Sequence, residues 1–373
     1  MSDNPTVGGH VPGSGTDSLG ITILDVGHGN SAVVHDGALC AVIDAGRSST
    51  VPQAELERRK VTRMVHLVLS HGDEDHIGGS PALLLDDAFT IGTVWINPDW
   101  RKDTEIWKRL QMAVKMRKRR GGLDGQQMIT TETGQVLRCG RARLEVLHPD
   151  FTMVIGGSAS QPSQHGPLTS NSTSVVIRVH LDEQPVALLA ADVDAAGLAH
   201  IVGSKQELSA PVLVFPHHGG LPGSSRAPRE FARTLTQLVS PDLVIFSIGG
   251  GLRPRNPHEE ILAGVREAAP EAHVACTQLS AQCHDRDQRV TGHHLAERPA
   301  AGRDGGRCCA GTISVTADAG ELSFDPPLKN HRDFVTMSVD SAQCRVMLPL
   351  PLPRQRSAVR AVTRPRSSKA PKT

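Results

Sequence analysis

With 373 residues, 38% of them apolar, and a formal net charge of +1, the chain can bury a large core, and no overall charge selects a partner for it. Its 36 Gly and 25 Pro, with no Tyr, suit a loop-rich α/β protein, and the apolar content excludes wholesale disorder. No apolar run approaches the roughly 18 residues that cross a bilayer, and Met1–Asp17 lacks the basic-then-apolar pattern of a secretory signal. A cytoplasmic location is therefore expected, and the seven Cys point to free thiols or a metal site rather than a disulfide framework.

Residues 1–18 read as a flexible leader. Short β-type runs follow at Gly20–Asp25, Ser31–Val34 and Ala41–Asp44, divided by Gly-containing turns as in an antiparallel start to a sheet. Val65–Ser70 is a continuous apolar run ending at a polar loop, the pattern of a buried strand that delivers residues to a site. Pro81–Leu85 resembles a first helical turn, and Val94–Ile96 a short strand. Lys102–Arg120 is the clearest helix, with an apolar stripe at Ile106, Leu110 and Val114 and Gly121-Gly122 as its stop.

Strands recur at Gln135–Arg138, Arg143–Leu147, Ser174–Val179, Ala187–Ala191 and Val212–Phe215. A helix over about Pro228–Leu238 precedes the strand Leu243–Ser247, and Pro257–Ala268 is helical again. Residues 276–310 are rich in Cys, His and Arg. Ile313–Asp318 and Glu321–Phe324, joined around Ala319-Gly320, read as a hairpin. From Pro353 onward seven Lys/Arg and no acid, mixed with Pro and Ser, predict a disordered basic tail.

The most informative segment is Ser70-His71-Gly72-Asp73-Glu74-Asp75-His76-Ile77-Gly78-Gly79. Four ligand-type side chains, His71, Asp73, Asp75 and His76, lie within six residues directly after a buried strand. Three adjacent carboxylates would repel one another unless the loop folds around a cation. An acidic surface loop with two ordinary histidines is the plainer alternative. Two further strand ends count against it: Leu188-Leu189-Ala190-Ala191-Asp192 and Val212-Leu213-Val214-Phe215-Pro216-His217-His218-Gly219. Alone, Asp192 reads as a strand-end cap; beside the His71 loop it becomes a bridging carboxylate between two metals. A second Cys/His group, Cys276, Cys283-His284, His293-His294 and Cys308-Cys309, offers Cys276, Cys283, Cys308 and Cys309 as a candidate structural zinc site. Buried thiols acting as small apolar residues are the alternative.

The order His-x-Asp-x-Asp-His, then Asp at a strand end, then His at a strand end, resembles the metallo-β-lactamase superfamily. More narrowly, it resembles the soluble hydrolase domain of the competence DNA-uptake protein (ComEC type). The narrower match is carried by Leu24-Asp25-Val26-Gly27-His28-Gly29-Asn30, Val42-Ile43-Asp44-Ala45-Gly46, the His71 loop, Asn171-Ser172-Thr173, the Asp192 strand, Pro216-His217-His218-Gly219-Gly220, Ser247-Ile248-Gly249 and Asn256-Pro257-His258. His28, Asn30 and Gly220 depart from that pattern, which has Gln, Asp and Ser there. Asp73 stands where the ordinary superfamily has His, and Asn171 where a further His ligand is usual.

The resemblance implies an αββα sandwich of two mixed β-sheets flanked by helices, with the hydrolase domain at 19–275. A Cys/His-rich extension with the hairpin follows at 276–352, then the tail at 353–373. It implies two divalent ions, with His71 and Asp73 on one, Asp75 and His76 on the other, and Asp192 bridging. His217 or His218 completes the second site. Asn171 is a metal or substrate contact, and the harder ligand set admits Mn²⁺ as well as Zn²⁺. Asp75 is expected to be essential for catalysis. His258 is a candidate general acid and equally a helix-start histidine.

The favoured substrate is a phosphodiester or nucleic acid, since Arg101–Arg120 holds nine Lys/Arg against two acids. Lys108, Lys115 and Arg119 are the candidate phosphate contacts. Few aromatics argue against a base-stacking platform. A small-molecule hydrolase of the lactamase or glyoxalase type, or a non-catalytic metal-binding interaction protein, are the alternatives.

Overall fold

The computed structural model describes residues 18–97, 102–133, 137–156, 168–223, 227–251, 254–283, 289–318 and 320–345. The basic tail, most of the leader, and His284 lie outside them.

β1 (Leu19–Ile23), β2 (Ala32–Asp36) and β3 (Leu39–Ile43) form an antiparallel meander. After α1 (Thr50–Arg58) the chain turns parallel, through β4 (Arg63–Leu69), α2 (Glu74–Ile77), α3 (Ser80–Leu85), β5 (Thr90–Ile96), α4 (Glu105–Arg119) and β6 (Leu123–Met128). A second sheet starts antiparallel with β7 (Leu137–Cys139), β8 (Ala142–His148), α5 (Phe151–Gly156), β9 (Val176–Leu181) and β10 (Gln184–Leu189). It becomes parallel through α6 (Ala195–Gly203), β11 (Val212–Val214), α7 (Pro228–Val239), β12 (Leu243–Phe246), α8 (Glu259–Ala268) and β13 (His273–Cys276). The hairpin β14 (Ile313–Asp318) and β15 (Glu321–Asp325) returns to pair with β1, and α9 (Leu328–Ser338) follows.

The first sheet therefore runs β15-β14-β1-β2-β3-β4-β5-β6 and the second β13-β12-β11-β10-β9-β8-β7. The two-residue period of strands sorts their side chains between layers. In β4, Val68 faces the second sheet while Leu67 and Leu69 face α1, α3 and α4. In β12, Leu243 and Ile245 face the first sheet while Val244 and Phe246 face α7, α8 and α9. Three apolar layers result: helix on sheet, sheet on sheet, and sheet on helix. The architecture is an αββα sandwich of two mixed sheets.

The expected strands and the hairpin appear with shifted ends. The expected helix over 102–120 is α4, begun by Thr104, whose hydroxyl accepts the Trp107 N–H. Its buried stripe is Trp107, Leu110, Ala113, Val114 and Arg117 rather than one through Ile106. Arg117 sits in this stripe because its guanidinium donates to the carbonyls of Asp86, Phe89 and Gly122. Helices α1 and α6 and strand β6 were not anticipated from sequence. α1 carries Pro52 and a buried Glu55 paired with Arg58 and Arg59. β6, Leu-Asp-Gly-Gln-Gln-Met, has no β-branched residue to mark it.

Two histidines unrelated to the site set an acid limit on stability. His35 and His148 are buried. Burial, reinforced at His35 by Arg59, pushes the imidazole down to about 3, and burial pushes His148 down to about 4. Each is neutral when folded and takes up a proton when unfolded below about pH 6.5. The unfolded state therefore binds more protons between that value and the folded one, so stability falls with acid across this window. Each contributes up to about 1.4 kcal/mol per pH unit. Urea midpoints should drop steadily from pH 6.5 to 4.5; a flat profile would contradict the assignment.

Candidate metal centre

The carboxyl ends of strands from both sheets meet at one edge, the general location of sites in α/β sheets. β3 ends at Asp44, β4 at Ser70-His71, β10 runs out to Asp192, β11 to His217-His218 and β12 to Ser247. Backbone at these ends is bent out of strand conformation. Asp44, Ala191, His217 and His218 have φ of 56°, 44°, 53° and 55°, values that non-glycine residues hold only where the surroundings impose them. The His217-His218 turn continues into Gly219 at φ 77°. A Cβ there would come within 2.6 Å of Phe246 and Pro257, so only glycine fits.

Eight polar side chains converge. His76 Nε2 lies 3.2 Å from Asp192 Oδ1 and His71 Nε2 3.9 Å from Asp192 Oδ2. On the other side His28 Nε2 and His218 Nε2 each lie 3.5 Å from Asp75 Oδ2. Asp192 joins the halves, with its Oδ1 also 3.7 Å from His218 Nε2. His217 Nδ1 is 3.5 Å from Asp192 Oδ2, and Asp73 Oδ2 is 3.5 Å from His71 Nε2. His71, His76 and Asp192 thus form one compact donor group, and His28, Asp75 and His218 a second.

The imidazoles are aimed. His76 Nδ1 is 2.7 Å from Asp44 Oδ2, His71 Nδ1 3.1 Å from the Ser70 hydroxyl, and His218 Nδ1 2.8 Å from the Ser247 carbonyl. Ser70 in turn donates to Asp44 at 2.7 Å. Held at Nδ1, all three rings turn Nε2 inward, where it is buried with no hydrogen-bond partner. A buried, unpaired nitrogen is costly. Outer partners on one ring nitrogen and a bare lone pair on the other are what a metal-ligating histidine needs.

The carboxylates supply charge. Asp192 is fully enclosed, and although burial favours its neutral form, His76 and His218 hold it well below the usual carboxylate range. The same opposition of burial against His218 and His76 leaves Asp75 low. Asp73 is held low by its bond to His71 and by Lys102. Burial and the neighbouring His218 push His28 down to about 4, keeping its ring neutral and able to donate a lone pair. Three carboxylates held ionised beside imidazole nitrogens suit divalent cations of the zinc or manganese kind. Against the effect of burial, Asp192 and Asp44 raise His76 well above the usual imidazole range.

Residues 24–197 match a family model described as the metallo-beta-lactamase superfamily. Over those residues, just under half of its length, the chain resembles a metallo-β-lactamase superfamily domain. Members of this superfamily are typically hydrolytic enzymes that bind divalent metals, typically zinc. Among solved structures, the chain is similar to the metallo hydrolase Igni18 of Ignicoccus hospitalis, at 16% identity and TM-score 0.39, covering 68% of this chain and 94% of that one. It is also similar to the metallo-beta-lactamase fold protein YhfI of Bacillus subtilis, at 12% identity and TM-score 0.41, covering 70% and 98%. A third similar structure is the archaeal superfamily protein ST1585 of Sulfolobus tokodaii, at 18% identity and TM-score 0.32, covering 53% and 80%. A search of curated proteins finds no match.

His71, Asp73, Asp75, His76 and Asp192, inside the matched segment, come together with His217 and His218, which lie beyond it. Their grouping differs from the expected one. His76 sides with His71, and Asp75 with His218, because Asp75 and His76 are successive residues of α2 and successive helical side chains diverge by about 100°. Asn171, whose Oδ1 is buried and unpaired, opens a 3-10 turn that ends at Thr173, two residues before Val175, whose N–H donates to the Ser70 carbonyl. His258 caps α8: its Nδ1 accepts the Glu260 N–H at 3.3 Å and its own N–H donates to Gly219. Lys108, Lys115 and Arg119 are exposed on α4, and Lys108 pairs with Asp103 at 2.8 Å.

Sequence reasoning missed His28 as a donor. It lies in the glycine-rich loop between β1 and β2, far in sequence from the His71 loop. Its only signal was that a histidine replaced the glutamine of the resembling pattern. The loop is pinned by Gly29, where a Cβ would come 2.3 Å from the Asp75 carbonyl, and by Ser247, whose hydroxyl donates to the Gly29 carbonyl at 2.6 Å. Of the four expected zinc cysteines, Cys308 is turned away: its thiol lies 3.3 Å from Asp25 Oδ2. The strand-like run Cys308-Cys309 sends neighbouring side chains to opposite sides.

Proposed function

We propose that the chain is a metal-dependent phosphodiesterase or nuclease of the competence-type branch. The observation that carries its metal dependence is the set of inward, unpaired Nε2 atoms of His71, His76 and His218 around Asp75 and Asp192. His71, His76 and Asp192 would hold one cation, with Asp73 beside them, and His28, Asp75 and His218 the other. Cations there lower the pKa of a water and neutralise charge on the group attacked. The protein's own part is to fix those donors from strand ends, keep the floor dry and carry a proton to the leaving group. Ile23, Ala32, Ile43 and Leu189 line an apolar cavity between the sheets beside Asp44 and Ala191. His258 accepts the Glu260 N–H at Nδ1, a bond it would have to give up to serve as an imidazolium general acid.

Phosphodiester chemistry is supported by the carboxylate Asp73 in place of an imidazole and by the basic α4 beside the site. Lys102 at its start pairs with Asp73, and Lys115, Lys118 and Arg119 are exposed along it. The test is a panel of single- and double-stranded DNA, RNA and cyclic nucleotides, each with Mn²⁺ or Zn²⁺. At least one phosphodiester should be hydrolysed by the wild type and none by Asp75→Ala. Equal turnover by that variant, or hydrolysis confined to lactams or thioesters, would overturn the reading.

A further inference from the structure

A second donor cluster lies on the opposite face of the second sheet, beneath α9. Cys309 Sγ is 3.2 Å from His331 Nε2, and Cys344 Sγ completes a triangle with them in which every ligand atom lies within 4.8 Å of the others. All three residues are buried. His331 is oriented from behind, its Nδ1 lying 2.9 Å from His273 Nε2, the outer-partner arrangement seen at metal-ligating histidines. Two more buried cysteines are hydrogen-bonded to residues adjoining the triangle. Cys283 Sγ accepts the N–H of Gln343, next to Cys344, at 3.3 Å, and Cys276 pairs through its carbonyl with Ala310, next to Cys309.

We propose that this cluster is a structural zinc site, ligated by Cys309, His331, Cys344 and one thiol of the Cys276–Cys283 pair. Three thiolates and an imidazole are a soft, closed donor set with no position for substrate, which selects Zn²⁺. A tetrahedral ion with zinc–sulfur bonds of about 2.3 Å and a zinc–nitrogen bond of about 2.0 Å needs ligand atoms roughly 3.3–3.8 Å apart; Cys309 Sγ and His331 Nε2 lie 3.2 Å apart, and the whole triangle fits within 4.8 Å. The site would tie remote pieces of chain together: Cys309 ahead of β14, α9, and the irregular segment 339–345. That segment is otherwise held by Arg266, which donates to the carbonyls of Gln343 and Arg345. The inference does not depend on the hydrolytic reading, because the two clusters share no residue.

Cobalt substitution tests it on the full-length chain. The His/Asp centre has no sulfur donor, so a sulfur-to-cobalt charge-transfer band reports the cysteine site alone. Metal-stripped, reduced wild-type protein should develop that band with one equivalent of bound Co²⁺, and one Zn²⁺ should abolish it. Cys344→Ser should lose the band, and Cys308→Ser, whose thiol faces Asp25, should keep it. A His71→Ala/Asp192→Ala chain, stripped of the other centre, should still carry one zinc. No band in the wild type, a full band in Cys344→Ser, or a Cys309–Cys344 disulfide in place of the metal would overturn the proposal.

Discussion

Replacing Asp192 by Ala should abolish hydrolysis, lowering turnover by at least about 10³-fold, equivalent to roughly 4 kcal/mol of lost transition-state stabilisation. Asp192 meets donors of both groups: His76 at 3.2 Å, His218 at 3.7 Å, His71 at 3.9 Å and His217 at 3.5 Å. Its loss removes the carboxylate shared between the halves and, among the described residues, leaves His76 with Asp44 as its acidic partner. The expected signature is loss of metal binding together with activity. Asp192→Asn keeps the shape and the acceptor for the His217 N–H, 3.2 Å away, while removing the charge. It should fold, retain near-wild-type circular dichroism, and still be inactive. An active Asp192→Asn would mean that a shared charge is not required.

The largest effect on stability should come from Phe246→Ala. Phe246 is fully buried, packs on Phe215 with ring centroids 5.1 Å apart, and lies against the tight Gly219 turn, where an added Cβ would come within 2.6 Å of its ring. Truncation leaves a cavity in the layer between the second sheet and α7, α8 and α9, at a cost of about 3–5 kcal/mol. The urea midpoint should fall with an unchanged slope. Because the same ring supports the turn that presents His217 and His218, metal affinity should fall as well. Phe246→Leu, which refills most of the space, should recover both. Loss of stability with unaltered metal affinity would show that the turn is held by its own backbone bonds instead.

Much of the centre was legible because its residues are sequence neighbours or end apolar runs. The His71 loop holds four donors in six positions, and Asp192 and His217-His218 each terminate a buried strand. What was not legible depends on three-dimensional closure. His28 is a lone histidine among glycines, and only the packing of Gly29 against Asp75 brings it to the cluster. The pairing of His76 with His71 follows from the single turn of α2, too short to show a helical period. Cys344 and His331 lie in or beyond α9, where no local pattern links them to Cys309. The same reasoning explains the elements. The β-branched runs at β2, β9 and β12 announce themselves, whereas α6, short and holding Gly197, carries no polar face by which to recognise a helix.

Crystals grown with Zn²⁺ or Mn²⁺ and measured at the metal's absorption edge test the central claim most directly. Two anomalous peaks are predicted at the strand-end edge. One should lie within bonding distance of the Nε2 atoms of His71 and His76, the other within bonding distance of the Nε2 atoms of His28 and His218, with Asp192 between them. An empty cluster in such crystals, or metal bound only away from these nitrogens, would contradict the account.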